Sequence, residues 1–499
     1  MMIKNTYIKS ILLTVFAISI IGCSEDFLDK TPVEQISVSD VEKTGEVDSG
    51  ILEATLRGIY TMMYQTGTGG TGRHEDFGQK GYDIYGDMLS SDVALVKNTY
   101  SRYRNLAQLV IPVDYTYTQG NYEVWRYYYR VIRSCNLVIT SLGGNDAPIT
   151  DANRSTMGQA KGLRAYAYFY LSQYYIPEYS ETSTILPLYI DSSDPENKPQ
   201  STTKEVYDLM ISDLESSIAL LDAFTRTQKY EMNKDVAKSL LAYVYGSMGT
   251  SAANLKAKTL AEEVIGAGYP LTTMAQSTGG FNNVNTPSWI WGVDITVDAG
   301  LNLVSWWGQM DRYSYSYQYF GDRKGIDATL FDAIKPNDVR KTQFSTITSS
   351  AFYLTPIYKF YDAARQPAGA STTTTSDYIY MRIDEMYLLS AEMSAKEGLD
   401  GDARNRLKNI LALRFTNPAD YAYIDALSGA ALQNEVYLQT RIEFWGEGKS
   451  YLAMKRNKAT TTRGANHVYL KGVSIPYNDD RLTFDIPQSE IQNNPFINR

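Results

Sequence analysis

Two stretches of the sequence set aromatic rings beside side chains that can hydrogen-bond. One is Asn98-Thr-Tyr100-Ser-Arg102-Tyr103-Arg104, which follows Ser90-Ser91-Asp92. The other is Trp306-Trp307-Gly-Gln309-Met-Asp311-Arg312-Tyr313-Ser-Tyr315-Ser-Tyr317. Trp and Tyr rings offer flat apolar faces, and Asn, Asp, Arg and Gln fix the orientation of whatever lies on them. The chemistry is recognition of a ligand with apolar C–H faces and hydroxyl groups, as a sugar ring has. If 313–317 is extended, its alternation of Tyr and Ser puts three phenols on one face. The candidate ligand-binding residues are Tyr100, Arg102, Tyr103, Trp306, Trp307, Tyr313, Tyr315 and Tyr317. The competing expectation for each ring is inward packing.

Signs of catalysis are few. Glu443 and Glu447 lie four apart and share a helix face, and glycosidases do use two carboxylates. With 56 acids in the chain such pairs are inevitable, so a structural face is the expectation. Gly67–Gly72 is followed by no Lys-Ser/Thr and is no phosphate loop. The two histidines, His74 and His467, and the two cysteines, Cys23 and Cys135, make no cluster with zinc-ligand spacing. No catalytic residue, metal or cofactor is expected. Nucleic acid is a poor partner for a chain with net charge −9.

The first 22 residues carry Lys4 and Lys9 and then a twelve-residue apolar run, Ile11–Gly22. That run is too short to span a bilayer and reads as a signal peptide. Ile20-Ile21-Gly22-Cys23 resembles a bacterial lipobox, which makes Cys23 the expected lipidation site. Acyl chains on one N-terminus anchor a water-soluble domain stably. Loss of residues 1–22 removes two lysines and no acid, which takes the charge to −11.

Stepping along the chain, apolar positions recur at helical period over about 47–64, 121–141, 155–175, 203–223, 233–248, 252–266, 377–397, 401–415 and 430–446. Thr202 and Glu205 form a capping-box pattern. Ala160, Gly162, Ala165 and Ala167 alternate with large aromatics, as closely packed helices need. Tyr127, Tyr128 and Tyr129 are expected between helices, and Trp289 and Trp291 in strand core. The fold class is mainly α, with TPR-like stacked helix pairs and two large loop-rich insertions at about 65–120 and 270–375. Binding sites tend to lie on such loops. The 41 tyrosines suit either binding surfaces or helix seams.

Six segments in order resemble the SusD/RagB family. They are Cys23-Ser-Glu-Asp-Phe27-Leu28-Asp29 with Pro32, Arg164-Ala165-Tyr166 with Leu186-Pro187-Leu188, Tyr380-Met-Arg382-Ile-Asp384-Glu385, Arg441-Ile-Glu443-Phe444-Trp445-Gly446-Glu447-Gly448, Lys455-Arg456, and Ile486-Pro487-Gln488 with Asn494-Pro495. Where the family often has an Arg-aromatic-Asp run after Gly-Glu-Gly, this chain has Lys449-Ser450-Tyr451. The resemblance implies a SusD-like α-helical scaffold: a lipoprotein leader (1–22), an N-terminal half (23–225) and a C-terminal half (226–499). It implies an outer-membrane protein, lipid-anchored and facing the cell exterior, that holds oligosaccharide or polysaccharide beside a SusC-like TonB-dependent transporter. Ser90-Ser91-Asp92 is similar to the family segment that leads into a ligand-contacting loop. Oligopeptide capture in the same role, a surface glycoside hydrolase and a scaffold that binds only protein are the alternatives.

Overall fold

A computed structural model describes residues 49–116, 120–364 and 372–497. The leader, Cys23 and its tether lie outside the described residues. The chain forms a mainly helical scaffold. Helices α1 (Ser49–Met62), α2 (Gln79–Leu89), α3 (Asn121–Ser141), α4 (Arg154–Tyr175), α5 (Thr203–Leu220), α6 (Lys234–Met248) and α7 (Ser251–Gly266) come first. Helices α8 (Asp384–Lys396), α9 (Asp400–Leu411), α10 (Gly429–Glu443) and α11 (Ser450–Arg456) follow a long irregular region. Successive helices pack on one another from α3 through α7; α7 then meets α8, and α8 meets α9. This is the expected stack of helix pairs.

The reasons are local. The α5 cap is as the sequence suggests: the Thr202 side chain accepts from the Glu205 N–H, and the Glu205 carboxylate accepts in return from the Thr202 N–H at 2.7 Å. Small residues bring α4 close to α5. A Cβ at Gly162 would lie 2.1 Å from Met232 Sδ and 2.8 Å from Ser217 Oγ. Gly162→Ala is therefore expected to cost about 1–3 kcal/mol through overpacking, read as a lower urea midpoint at unchanged slope. Tyr127 and Tyr128 are fully buried within one large aromatic core that runs from Leu56 to Phe484.

Two elements differ from expectation. The stretch 377–397 is not one helix: strand β6 (Tyr378–Arg382) precedes α8 and pairs antiparallel with β4 (Trp289–Val293). All five β6 residues are buried, so the run shows no period by which strand and helix could be told apart. The insertion at 65–120 also contains α2, every residue of which is buried, Lys80, Asp83 and Asp87 included; Gly81 and Gly86 within it read in the sequence as helix breakers. Trp289 and Trp291 are strand core, as expected. Of the remaining short strands, β1 (Val93–Leu95) pairs antiparallel with β5 (Lys324–Ile326) and joins the two insertions.

Candidate functional site

The β1–β5 ladder brings the loop at 98–104 against the stretch 311–323. Beyond the ladder the Val96 N–H donates to the Arg323 carbonyl at 2.8 Å, and the Thr99 N–H to the Gly321 carbonyl at 3.2 Å. Asp322 then gathers the loop. Its carboxylate accepts from the Tyr100 N–H (2.8 Å), the Arg102 N–H (3.0 Å) and Asn98 Nδ2 (3.2 Å). Such charge-assisted bonds are the strong ones. They hold a backbone that L-residues disfavour, with Ser101 at φ 64° and Tyr103 at φ 55°. Asp322→Ala is expected to release the loop: amide exchange at Tyr100 and Arg102 speeds up by hydrogen–deuterium exchange, while protection of α3 to α5 stays unchanged.

On this frame Tyr100 is 51% exposed and Tyr315 42% exposed. The Tyr100 ring meets Tyr317 edge-on at 5.9 Å, and the Arg102 guanidinium lies 5.1 Å from the Tyr317 ring centre. The Tyr317 hydroxyl is 2.6 Å from His74 Nδ1. Burial, then the charge of Arg102, lowers the His74 pKa, and burial raises that of Tyr317. Arg102 also pairs with Glu75 at 3.4 Å. Tyr315 packs on Phe320, itself 42% exposed, and Phe320 on Tyr319.

The alternation of Tyr and Ser does not build a single face. Ser316 caps a helical turn at Tyr317–Phe320, its side chain accepting from the Tyr319 N–H, so Tyr317 turns inward, Tyr315 stays out and Tyr313 is half-buried. Tyr103 is buried against Tyr85, with Lys324 Nζ 4.8 Å from its ring centre. Trp306 and Trp307 are 2% and 1% exposed. Trp306 packs on Phe360 at 4.6 Å, and Trp307 donates to the Ser376 carbonyl at 2.7 Å. In this conformation their ring faces are covered by protein. The structure thus brings Tyr100, Arg102 and Tyr317 together, presents Tyr315 nearby, and encloses Tyr103, Trp306 and Trp307 in the core. Sequence reasoning did not single out Asp322, His74 or Phe320. Gly321-Asp322 is a turn signal that could have pointed to the first; nothing in the sequence marks His74.

Glu443 and Glu447 are buried among cations. Arg340, Arg382 and Arg414 surround Glu443, and Arg382 and Lys359 hold Glu447. Burial pushes both carboxyl pKa values up, but these cations outweigh it and hold both below the usual value. The pair is structural. Lys449, at the departure from the family pattern, is buried and donates to the Tyr380 carbonyl.

A family model described as starch-binding, associating with the outer membrane, matches residues 26–245, and the SusD family model matches residues 337–499. The fold is similar to a SusD-like carbohydrate binding protein from Bacteroides vulgatus (TM-score 0.73, 24% identity, 90% of this chain and 97% of that one). It is also similar to a SusD superfamily protein from Bacteroides fragilis (0.72, 25%, 90% and 98%) and to surface glycan-binding protein A from Bacteroides uniformis (0.66, 17%, 90% and 98%). A SusD-like protein of Formosa agariphila is 25% identical over 164 residues, which span 33% of this chain but only 29% of that relative. The chain belongs to the SusD family, a family of carbohydrate-binding proteins associated with the outer membrane. Among the described residues no helix is long and apolar enough to cross a membrane.

Proposed function

We propose that the mature chain is a cell-surface lipoprotein, anchored through Cys23 after loss of residues 1–22. On this reading it captures oligosaccharide or polysaccharide, without turnover, and delivers it to a SusC-like TonB-dependent transporter. The observation that carries the proposal is the exposure of Tyr100 and Tyr315, with Phe320, on two loops locked together by Asp322. Rigid exposed rings beside fixed polar groups are costly to keep in water and suited to the C–H faces of sugars. The names of the solved neighbours, carbohydrate binding protein and surface glycan-binding protein, support the same reading. Tyr103, Trp306 and Trp307, all buried, serve on this reading as packed core and not as stacking surfaces.

The test is affinity electrophoresis of the full chain through gels carrying a panel of polysaccharides, with reducing ends assayed in parallel. Retardation by at least one polysaccharide class, with no release of reducing ends, is expected. Release of reducing ends would favour a hydrolase. No retardation in any gel, with binding of oligopeptides instead, would favour peptide capture.

A further inference from the structure

Arg312 and Arg323 converge on one ring. Their guanidinium carbons lie 4.5 Å and 4.4 Å from the centre of Phe352. Each has an aspartate beside it in sequence, and both carboxylates are engaged elsewhere. Asp311 is buried and accepts from the Tyr313 and Ser314 N–H groups at 3.0 Å; Asp322 accepts from the 98–102 loop. Among the described residues no carboxylate pairs with either arginine. Arg323 Nη2 donates to the Tyr319 carbonyl at 3.1 Å, and its Nε is buried without a partner. Burial and then the charge of Arg312 lower the pKa of Arg323. Arg164, Arg340, Arg382, Arg414, Arg441 and Arg456 all pair with carboxylates, whereas among the described residues Arg312 and Arg323, like the buried Arg463, do not. Acids outnumber bases 56 to 47 in this chain, so a counter-charge was available and was not placed here.

The pair also lies at one end of the aromatic run. Phe352 stacks on Tyr319 (6.1 Å, 19°), Tyr319 meets Phe320 at 4.9 Å, and Phe320 meets Tyr315 at 5.1 Å. A guanidinium stacked on a ring is pre-organised, and its forked donors match a carboxylate or a sulfate ester. We propose that Arg312 and Arg323 form a subsite for an anionic substituent, so that the ligand is an acidic polysaccharide. This deepens the glycan-capture reading and rests on it. A sugar stacked on Tyr315 and Phe320 directs its charged substituent toward Phe352, where two positive charges lack a counter-ion.

The test compares matched polysaccharides on the full chain by isothermal titration calorimetry. One pair is a uronate polymer and its carboxyl-reduced form; the other is a sulfated polymer and its desulfated form. In one pair or the other, which tells carboxylate from sulfate, the acidic form is expected to bind about tenfold tighter. That advantage should shrink with added salt. Arg312→Gln/Arg323→Gln should remove it while leaving neutral binding in place. Equal binding of acidic and neutral forms, or an advantage that survives the double variant, would overturn the subsite and leave glycan capture standing. Binding of none of the four polymers would overturn the subsite, and glycan capture falls with it only where no polysaccharide retards the protein in affinity gels. The salt dependence of the unaltered protein tests the subsite even if the double variant does not fold.

Discussion

Glu443→Ala is expected to destabilise the protein by about 3–5 kcal/mol. Glu443 Oε1 accepts from Arg414 Nη2 at 2.6 Å and Arg382 Nη1 at 2.8 Å; Oε2 accepts from Arg414 Nε at 2.9 Å and Arg340 Nη1 at 3.0 Å. Arg382 and Arg414 both reach Asp384 at 2.9 Å, Arg340 pairs with Asp338 and Lys359 with Glu447. Four cations thus face four carboxylates in a region with almost no exposure, and α8, α10, β6 and the turn after α9 all contribute. Removing one carboxylate leaves a buried positive charge without its partner, and that desolvation cost makes the loss large. Guanidinium-induced unfolding of the variant, compared with the unaltered protein, reads it directly.

The same groups set the acid limit. The cations around Glu443 and Glu447 hold both carboxyls below the usual value in the folded protein, against the upward push of burial. Glu392 is held at about 2, where Arg456 and Lys396 outweigh burial. Folded pKa values below unfolded ones mean that this stability is present above the unfolded value of about 4.5 and is lost as pH falls through the folded values. The unfolding midpoint is therefore expected to drop steeply below pH ~4.5, and less steeply in Glu392→Gln.

The second large effect concerns binding. Tyr100→Ala combined with Tyr315→Ala is expected to weaken glycan binding about 100-fold, roughly tenfold for each exposed ring lost. Both side chains are about half exposed and lie outside the core, so the thermal midpoint should stay near that of the unaltered protein. Trp306→Ala would instead act on the fold, because Trp306 packs between Trp307 and Phe360. That asymmetry separates stacking surface from packed core.

The sequence made the scaffold legible where a long segment keeps its apolar positions at helical period. The segments of α3, α5 and α10 show their period because they are amphipathic, and Thr202 and Glu205 announce a real cap. The region 79–89 was illegible because Gly81 and Gly86 break up a helix of only eleven residues, and its Lys80, Asp83 and Asp87, all buried, read as a polar loop. At the candidate site, residue type pointed to two stretches that the fold brings together, but not to the direction of each side chain. Ser316 turned Tyr317 inward by capping a short helix, a local choice that outweighed the alternating pattern. Trp306 and Trp307 have the composition of a stacking platform and the packing of a core, and only long-range neighbours such as Phe360 and Ser376 decide between them. Asp322 organises the loop from 220 or more residues away in sequence, beyond the reach of any local pattern.

The most direct test of glycan capture at this site is a crystal structure of the protein with a bound oligosaccharide from the class that retards it in affinity gels. A sugar ring in van der Waals contact with Tyr100 or Tyr315, with hydroxyls within hydrogen-bond reach of Arg102, is the expected result. Ordered sugar elsewhere on the scaffold, with Tyr100 and Tyr315 still facing solvent, would contradict it.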